Sequence, residues 1–383
     1  MGFKDEYIKR YADVNSVERW YGKKQETILC IIPSKLAEQT FATNIQFELN
    51  NFEQPNYGQF SINKFLNRYL AGSRSLRESR LLSRKRLALV TSQIGYIDPE
   101  AIDLVKQIDR YQQAREILTA NHSLTLEQLL DINRSLEVEN QRTGSLRQNQ
   151  NWIGGKTPLQ AAYVCPPPEL VEELMHDWLM FINNPDLPGE ITAIVGYSQL
   201  LLIHPFSDGN GRTSRVFLQS RLEQKYGDII HPTLYRLHKN EQYIDAVQST
   251  LRETSPLVPL HSFWQESLAW GNELKRRMYQ ILAEGQAELN ARLAMRALSN
   301  NARTLLDYLW VQPIVCEAGL GKHFGWDFFT AHNAILELIN VNILEAHKIR
   351  QPEGAIIYDC AIIFSTWQKL DDEIVQKVEA SAA

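Results

Sequence analysis

The sequence is poor in cysteine. Its four cysteines, Cys30, Cys165, Cys316 and Cys360, lie far apart, and none belongs to a CxxC pair. This spacing argues against both a cysteine zinc site and a disulfide framework. We therefore expect four reduced thiols, as in a cytoplasmic protein.

Long hydrophobic runs are also lacking. No segment approaches the length of about 20 apolar residues that spans a bilayer. The first residues, MGFKDEYIKRYADV, are charged and lack the apolar core of a signal peptide. The sequence thus predicts no membrane span and a cytoplasmic location.

An excess of positive charge is absent as well. The 383 residues include 40 lysines and arginines against 45 aspartates and glutamates, a net charge of −5. General binders of nucleic acid or of anionic membranes need a basic surface, so both classes are disfavoured. What is present, 44% hydrophobic and 22% charged residues, is typical of a folded protein of two or three domains.

Apolar residues recur at helical spacing along most of the chain, which predicts a mainly α fold. The stretch 141–168 differs, because NWIGG and AAYVC within it predict two short strands around a turn. TILCIIP, residues 27–33, fits either a strand or a buried turn of helix. From about residue 298, three helices precede KIRQPEGAIIYDCAIIF, which predicts two strands, and this order is typical of a winged helix.

DNA binding is not expected of this tail, because a phosphate-binding surface must be positive. The basic residues between 300 and 370 are Arg303, Lys322, Lys348, Arg350 and Lys369. The acidic residues there are Asp307, Glu317, Asp327, Glu337, Glu345, Glu353 and Asp359. We expect the tail to contact proteins or to support the rest of the chain.

The most informative stretch is HPFSDGNGRTSR, residues 204–215, which follows the apolar run AIVGYSQLLLI. Gly209, Asn210 and Gly211 stand where a loop turns into a helix, and glycine adopts backbone conformations that other residues resist. Successive N–H groups at a helix start favour a phosphate. Arg212 and Arg215 lie three residues apart, and guanidiniums bind phosphate oxygens bidentately, so a di- or triphosphate is predicted.

Two other residues of the stretch suggest a metal and a base. Asp208 precedes the helix start, and Mg²⁺ prefers a carboxylate together with phosphate oxygens. His204 is suited to take a proton from an attacking hydroxyl. Each residue alone has a plainer explanation: a capping histidine, an Asp-Gly turn, a solvated arginine pair. Their joint occurrence within twelve residues favours a phosphate site.

The stretch resembles the Fic-domain signature HPFx[DE]GNGRxxR and matches all of its defining positions. QNQNWIGG and AAYVCPPPE resemble the flap hairpin that precedes the signature in a bacterial Fic subfamily, which the tail also suits. The resemblance covers about residues 60–365 and implies a mainly α Fic-type bundle with a β-hairpin flap and a C-terminal winged helix. The implied domains are an N-terminal region (1–120), a Fic catalytic domain (121–297) and a winged-helix-like domain (298–383).

Fic enzymes mostly transfer AMP from ATP to a Tyr, Thr or Ser hydroxyl of a protein. The resemblance implies that His204 is the general base and that Asp208 holds Mg²⁺ against the phosphates. The nucleotide-binding residues that it implies are Gly209, Asn210, Gly211, Arg212 and Arg215. The flap, about 149–164, would hold an extended segment of the target by strand addition. Tyr243 would border the adenine pocket, although a plain buried helix tyrosine is an equal interpretation.

Many Fic proteins carry an inhibitory helix with the pattern [ST]xxxE[GN], whose glutamate pairs with the second signature arginine. The best match is TSQIGY, in which Thr91 fits but Gly95 stands at the glutamate position. The resemblance then implies an enzyme released from inhibition. A second alignment makes Glu78, in SLRESR, the inhibitory glutamate.

Other functions stay open from the sequence. One is a Fic transferase of another nucleotide or of a phosphoryl group. Another is a winged-helix regulator whose Fic-like domain senses a nucleotide. The expected partners are ATP and a protein target, and a homodimer is compatible with the composition.

Overall fold

The computed structural model describes residues 3–37, 39–41, 60–71, 82–137, 144–227, 229–237, 239–252, 257–293, 296–350 and 352–379. The chain is mainly helical, as predicted. The helices are α1 (Phe3–Arg10), α2 (Ile62–Leu70), α3 (Arg84–Thr91), α4 (Pro99–Ala120), α5 (Leu126–Leu136), α6 (Pro168–Ile182), α7 (Gly189–Ile203), α8 (Asn210–Tyr226), α9 (Asn240–Ser249), α10 (Leu257–Leu293), α11 (Asn300–Leu309), α12 (Glu317–Phe324), α13 (Phe328–Asn340) and α14 (Ala361–Glu379). The strands are β1 (Ser16–Tyr21), β2 (Glu26–Ile31), β3 (Trp152–Ile153), β4 (Tyr163–Val164), β5 (Ile314–Val315), β6 (Glu345–Lys348) and β7 (Ile356–Asp359).

The chain divides into two compact units. The first comprises residues 1–49 and 110–269, and the second comprises residues 50–109 and 270–383. This division follows packing, whereas the domain limits predicted above follow sequence motifs, and those limits stay a prediction. Within the described residues, no helix is both long and apolar enough to cross a membrane.

Helix α7 forms the centre of the first unit. It is apolar on all sides and buried along almost its whole length, which is typical of a core helix. Trp178 of α6 and Phe217 of α8 pack with ring centroids 5.1 Å apart, and the Trp178 indole N–H donates to the Gly196 carbonyl of α7 at 2.8 Å. The packed core therefore fixes the end of α7, from which His204 emerges.

Two hairpins accompany these helices. The stretch 27–33 falls largely in strand β2, which pairs antiparallel with β1 from Ser16–Ile31 to Tyr21–Glu26, so the strand alternative is correct. The predicted hairpin at 149–164 is confirmed: Trp152 pairs with Val164, and Ile153 with Tyr163. We call residues 149–164 the flap.

The second unit contains a three-stranded antiparallel sheet with the order β5-β7-β6. The sequence KIRQPEGAIIYDCAIIF was expected to be two strands, but β7 ends at Asp359 and α14 begins at Ala361. The amide of Cys360 donates to the Pro313 carbonyl, and its own carbonyl accepts from Phe364 as the first turn of α14 forms. The last four residues of that stretch are therefore helical, and the winged-helix assignment stays a prediction.

Candidate active site

The stretch 204–215 runs from the end of α7 to the first turn of α8. His204 has a left-handed backbone (φ 53°) that ends α7, and Gly209 (φ 78°) is the residue before α8. A left-handed histidine is uncommon and costs conformational energy, a type of strain that clusters at functional sites. The loop between them is short, so His204 and the helix start are held close together.

Asn210 locks this loop from within. Its side-chain amide accepts from the Phe206 N–H at 2.9 Å and donates to the Phe206 carbonyl at 2.9 Å. Both Asn210 and Phe206 are buried. The Asn210 side chain is thus used to shape the loop, and the backbone N–H of this predicted nucleotide-binding residue is the group at the helix start.

The His204 ring has one nitrogen available for a proton. Its Nδ1 lies 3.2 Å from the Leu201 carbonyl, which only accepts hydrogen bonds, so Nδ1 carries the proton and Nε2 the lone pair. The ring is half-buried, and removal from water lowers the pKa of His204 to about 4. At neutral pH the residue is therefore a neutral imidazole, as a general base requires.

Arg147 holds the His204 backbone, and sequence reasoning missed it. This buried guanidinium donates to the carbonyls of His204 at 2.7 Å, Asn149 at 2.9 Å and Pro166 at 2.7 Å. It thereby ties both ends of the flap to the end of α7. The sequence shows only an arginine in a polar loop rich in glutamine and asparagine, QRTGSLRQNQN, which by itself indicates a solvated residue.

The start of α8 has backbone N–H groups that suit an anion such as a phosphate. The first intrahelical bond is from Thr213 N to the Gly209 carbonyl, so the amides of Asn210, Gly211 and Arg212 precede the helical ladder. No side chain among the described residues caps this helix. The helix dipole adds positive potential at the same point, so an anion is the favoured occupant.

Asp208 is exposed beside this helix start. One of its carboxylate oxygens accepts from the Gly209 N–H at 2.7 Å, and its backbone carbonyl accepts from Asn133 at 3.0 Å. An exposed carboxylate beside a phosphate site fits Mg²⁺, which completes its shell with phosphate oxygens and water. In the described part of the chain there is no cluster of three or more His, Cys, Asp or Glu side chains that would hold a metal alone.

The two signature arginines occupy different surroundings. The buried Arg212 pairs with Glu137 at the end of α5 and donates to the Leu136 carbonyl at 3.3 Å. Burial raises the pKa of Glu137 to about 7, although the charge of Arg212 lowers it. Arg212 therefore joins α8 to α5, and Glu137 is a site residue for which the sequence carries no motif.

Arg215 lies over the start of α8. A Cβ placed on Gly211 would lie 3.3 Å from an Arg215 guanidinium nitrogen, so the side chain folds back along the helix. Burial lowers the pKa of Arg215, and the neighbouring Tyr111 and Tyr197 oppose this shift. A partly desolvated guanidinium attracts an anion more strongly than one in water. The Arg215 carbonyl accepts from His231 Nε2 at 2.8 Å, which fixes the backbone.

Residues 123–222 match the model of the Fic/DOC family. This range contains the whole stretch 204–215, the flap and Glu137. Residues 123–222 are a Fic domain.

Several curated relatives share this Fic domain. "Protein adenylyltransferase Fic" of Aedes aegypti is 29% identical over 182 residues, which are 44% of this chain and 33% of that protein. The protein of the same name from Culex quinquefasciatus is 31% identical over 160 residues, 39% of this chain and 30% of that protein. The matches thus span about a third of these relatives' own length.

Solved Fic structures are similar at low identity. A Fic family protein from Desulfovibrio desulfuricans has a TM-score of 0.43 and 17% identity, and the match covers 78% of this chain and 86% of that one. Fic-1 from C. elegans has a TM-score of 0.41 and 17% identity, with 57% and 63% covered.

The flap of the Fic domain is joined directly to the signature loop. Asn151 donates its side-chain amide to the Phe206 carbonyl at 3.0 Å, and Leu146 forms an isolated bridge with Phe206. The Tyr163 hydroxyl donates to the Leu202 carbonyl of α7 at 3.1 Å. The flap and His204 are therefore held by the same backbone segment.

Tyr243, the predicted border of the adenine pocket, lies in α9 and is buried. Its hydroxyl is 2.8 Å from that of Tyr197, and its ring packs against Phe263 and Trp264. Arg236 stacks over the same ring at 4.8 Å. These contacts are those of a core tyrosine, and the adenine contact stays a prediction.

The segment of the predicted inhibitory motif leaves the helix before the glutamate position. Thr91 is the last residue of α3, and its hydroxyl lies 2.6 Å from Gln312 Oε1. Gly95 follows in an exposed loop with φ 84°, a conformation that costs any other residue energy. Glu78, from the second alignment, lies outside the described residues.

Proposed function

We propose that this chain is a protein adenylyltransferase that moves AMP from ATP to a Tyr, Thr or Ser hydroxyl of a protein target. The observation that carries the proposal is the neutral His204 beside the uncapped start of α8 in the Fic domain. The relatives named adenylyltransferase support ATP as the substrate.

In the proposed reaction, Nε2 of His204 takes the proton of the target hydroxyl. The hydroxyl oxygen forms a bond to the α-phosphorus of ATP while the bond from that phosphorus to the bridging oxygen breaks. Pyrophosphate leaves, and the proton on His204 passes to solvent. Because Nδ1 is bonded to the Leu201 carbonyl, the ring is already oriented for this transfer.

The triphosphate is stabilised by groups that are in place before it binds. The amides of Asn210, Gly211 and Arg212 donate to phosphate oxygens, and Arg215 neutralises their charge. Asp208 would hold Mg²⁺, which supplies further positive charge to the phosphates when it is bound. The guanidinium of Arg212 contributes indirectly, since it is paired with Glu137.

Labelled ATP with Mg²⁺ tests this function. Incorporation of label into the chain itself or into a lysate protein is expected, and His204→Ala abolishes it. His176→Ala, an exposed histidine of α6, is the matched control and keeps full transfer. Mass spectrometry then identifies the transferred group, and a mass other than that of AMP points to another nucleotide or a phosphoryl group. If the unaltered chain labels no protein, the result contradicts the proposal.

We also propose that the chain is active because residue 95 is Gly and not Glu. Gly95→Glu is then expected to lower AMP transfer at least about tenfold, since the inhibitory carboxylate is restored. Gly95→Ala is the matched control, because it imposes the same strain at φ 84° without a carboxylate. Equal transfer rates of the two variants would contradict the proposal.

A further inference from the structure

The outer edge of flap strand β4 is closed by two tyrosines from the start of the chain. The Val164 N–H donates to the hydroxyl of Tyr7 at 2.9 Å. The Tyr11 hydroxyl donates to the Ala162 carbonyl at 2.9 Å. These are the backbone groups that a third strand would satisfy, so side chains take the place of a strand neighbour.

Both tyrosines are held in turn by their surroundings. Their rings lie 4.8 Å apart between centroids, and the Tyr11 ring lies 6.1 Å from that of Tyr163 in β4. Gln248 of α9 donates its side-chain amide to the Tyr11 hydroxyl at 2.9 Å. Tyr11 is buried, so its hydrogen bonds are protected from water.

The same side of the flap packs on the β1–β2 hairpin. Ile28 and Cys30 of β2 form a buried apolar cluster with Ala161 and Val164. Tyr7, Tyr21, Trp152 and Leu159 pack against this cluster. Residues 3–31 therefore cover one side of the flap by packing as well as by hydrogen bonds.

The opposite edge of the flap is strand β3. The Cys165 N–H donates to the Asn151 carbonyl at 3.1 Å, so Trp152, opposite Val164, is in a non-hydrogen-bonded pair. The backbone N–H and C=O of Trp152 then point away from β4. In the part of the chain that the structure describes, β3 has β4 as its single strand neighbour.

We propose that Tyr7 and Tyr11 are positioning residues: they hold the flap from the side of β4 and leave the edge of β3 for an extended segment of the protein target. This inference rests on the proposed function for its partner. Among the described residues, no hydrogen bond or ring contact joins the two tyrosines to His204 or to the start of α8, so they would act through the flap backbone.

The test compares the double variant Tyr7→Phe/Tyr11→Phe with Tyr21→Phe. Tyr21 packs on the same cluster, and among the described residues its hydroxyl makes no hydrogen bond. Hydrogen–deuterium exchange of the peptide covering 151–165 is expected to accelerate in the double variant alone, with exchange elsewhere unchanged and a small fall in Tm, since the lost hydrogen bonds also stabilise the fold. Unchanged exchange in this peptide, or acceleration throughout the chain, would overturn the positioning role.

Steady-state kinetics test which edge of the flap the target segment occupies. The target is a protein whose labelling requires His204. In the double variant, the KM for that target is expected to rise about tenfold, because the loss of one to two hydrogen bonds corresponds to a factor of this size. The kcat and the Kd for ATP are expected to stay unchanged. If β4 were the docking edge, the phenylalanines would open it, and KM would fall. If the unaltered chain transfers nothing, the proposed function fails, whereas the exchange experiment still decides the role of the tyrosines.

Discussion

At the scale of single residues, the protonation of His204 would set the pH range of the proposed reaction. Its pKa is about 4 in the folded chain and about 6.5 in an unfolded one. The neutral ring thus stabilises the fold fully above pH ~6.5, and this contribution is lost as the pH falls through 4. We predict that AMP transfer is independent of this group at neutral pH and declines with a midpoint near pH 4.

NMR titration of the histidine ring resonances measures this pKa directly. His204→Ala assigns the resonance by its disappearance. A His204 midpoint at or above 6.5 would contradict the buried, neutral ring.

The Glu137–Arg212 pair is a second prediction at the residue scale. Both side chains are less than a tenth exposed, so removing one leaves a buried charge without its partner. Glu137→Ala is expected to lower the free energy of unfolding by about 3 kcal/mol. Glu137→Ala/Arg212→Ala should lower it by less than the sum of the single variants. Urea denaturation gives all three values, and additive losses would show that the pair is not coupled.

At the scale of elements, the start of α8 depends on glycine at 209. A Cβ there would lie 2.6 Å from Glu137 Oε1 and 2.8 Å from Asn133 Nδ2, in addition to the strain of φ 78°. Gly227, at the other end of α8, has φ 69° but open space around its Cβ position. We predict that Gly209→Ala weakens ATP binding at least about tenfold, whereas Gly227→Ala costs about 1–3 kcal/mol of stability through backbone strain and leaves binding unchanged.

Isothermal titration with ATP and Mg²⁺ checks this difference. Thermal unfolding of both variants separates lost binding from lost folding. Equal affinities in the two variants would show that the α8 start tolerates a side chain.

Some of the secondary-structure elements were predicted from the sequence, and others were not. The flap and the mainly helical character of the chain follow from local periodicity and turn residues, so the sequence predicted them. Strand β1 was not predicted, because SVERWY has no clear alternation of buried and exposed residues. The helical start of α14 was wrongly predicted as strand, because AIIF is apolar and contains β-branched residues. The backbone hydrogen bonds of Cys360, to Pro313 and from Phe364, determine that the helix begins there.

At the scale of the whole molecule, the charge of the chain predicts that it does not bind DNA. The net charge is −5, and the start of α13 exposes Phe328 and Phe329 in place of basic side chains. We expect no salt-dependent binding to a labelled duplex in fluorescence anisotropy at concentrations of about 1 μM, where non-specific DNA binders begin to associate. Binding that weakens steeply with added salt would contradict this expectation.

The sequence by itself determined the start of α8 and the chemistry around it. Gly209, Asp208 and Arg215 lie within eight positions, so local backbone geometry brings them together wherever the stretch folds. Tertiary structure decided which distant residues hold His204 and the flap. Arg147 reaches His204 across 57 residues, and Tyr7 reaches Val164 across 157. Such contacts depend on how buried helices pack, and no short motif encodes them.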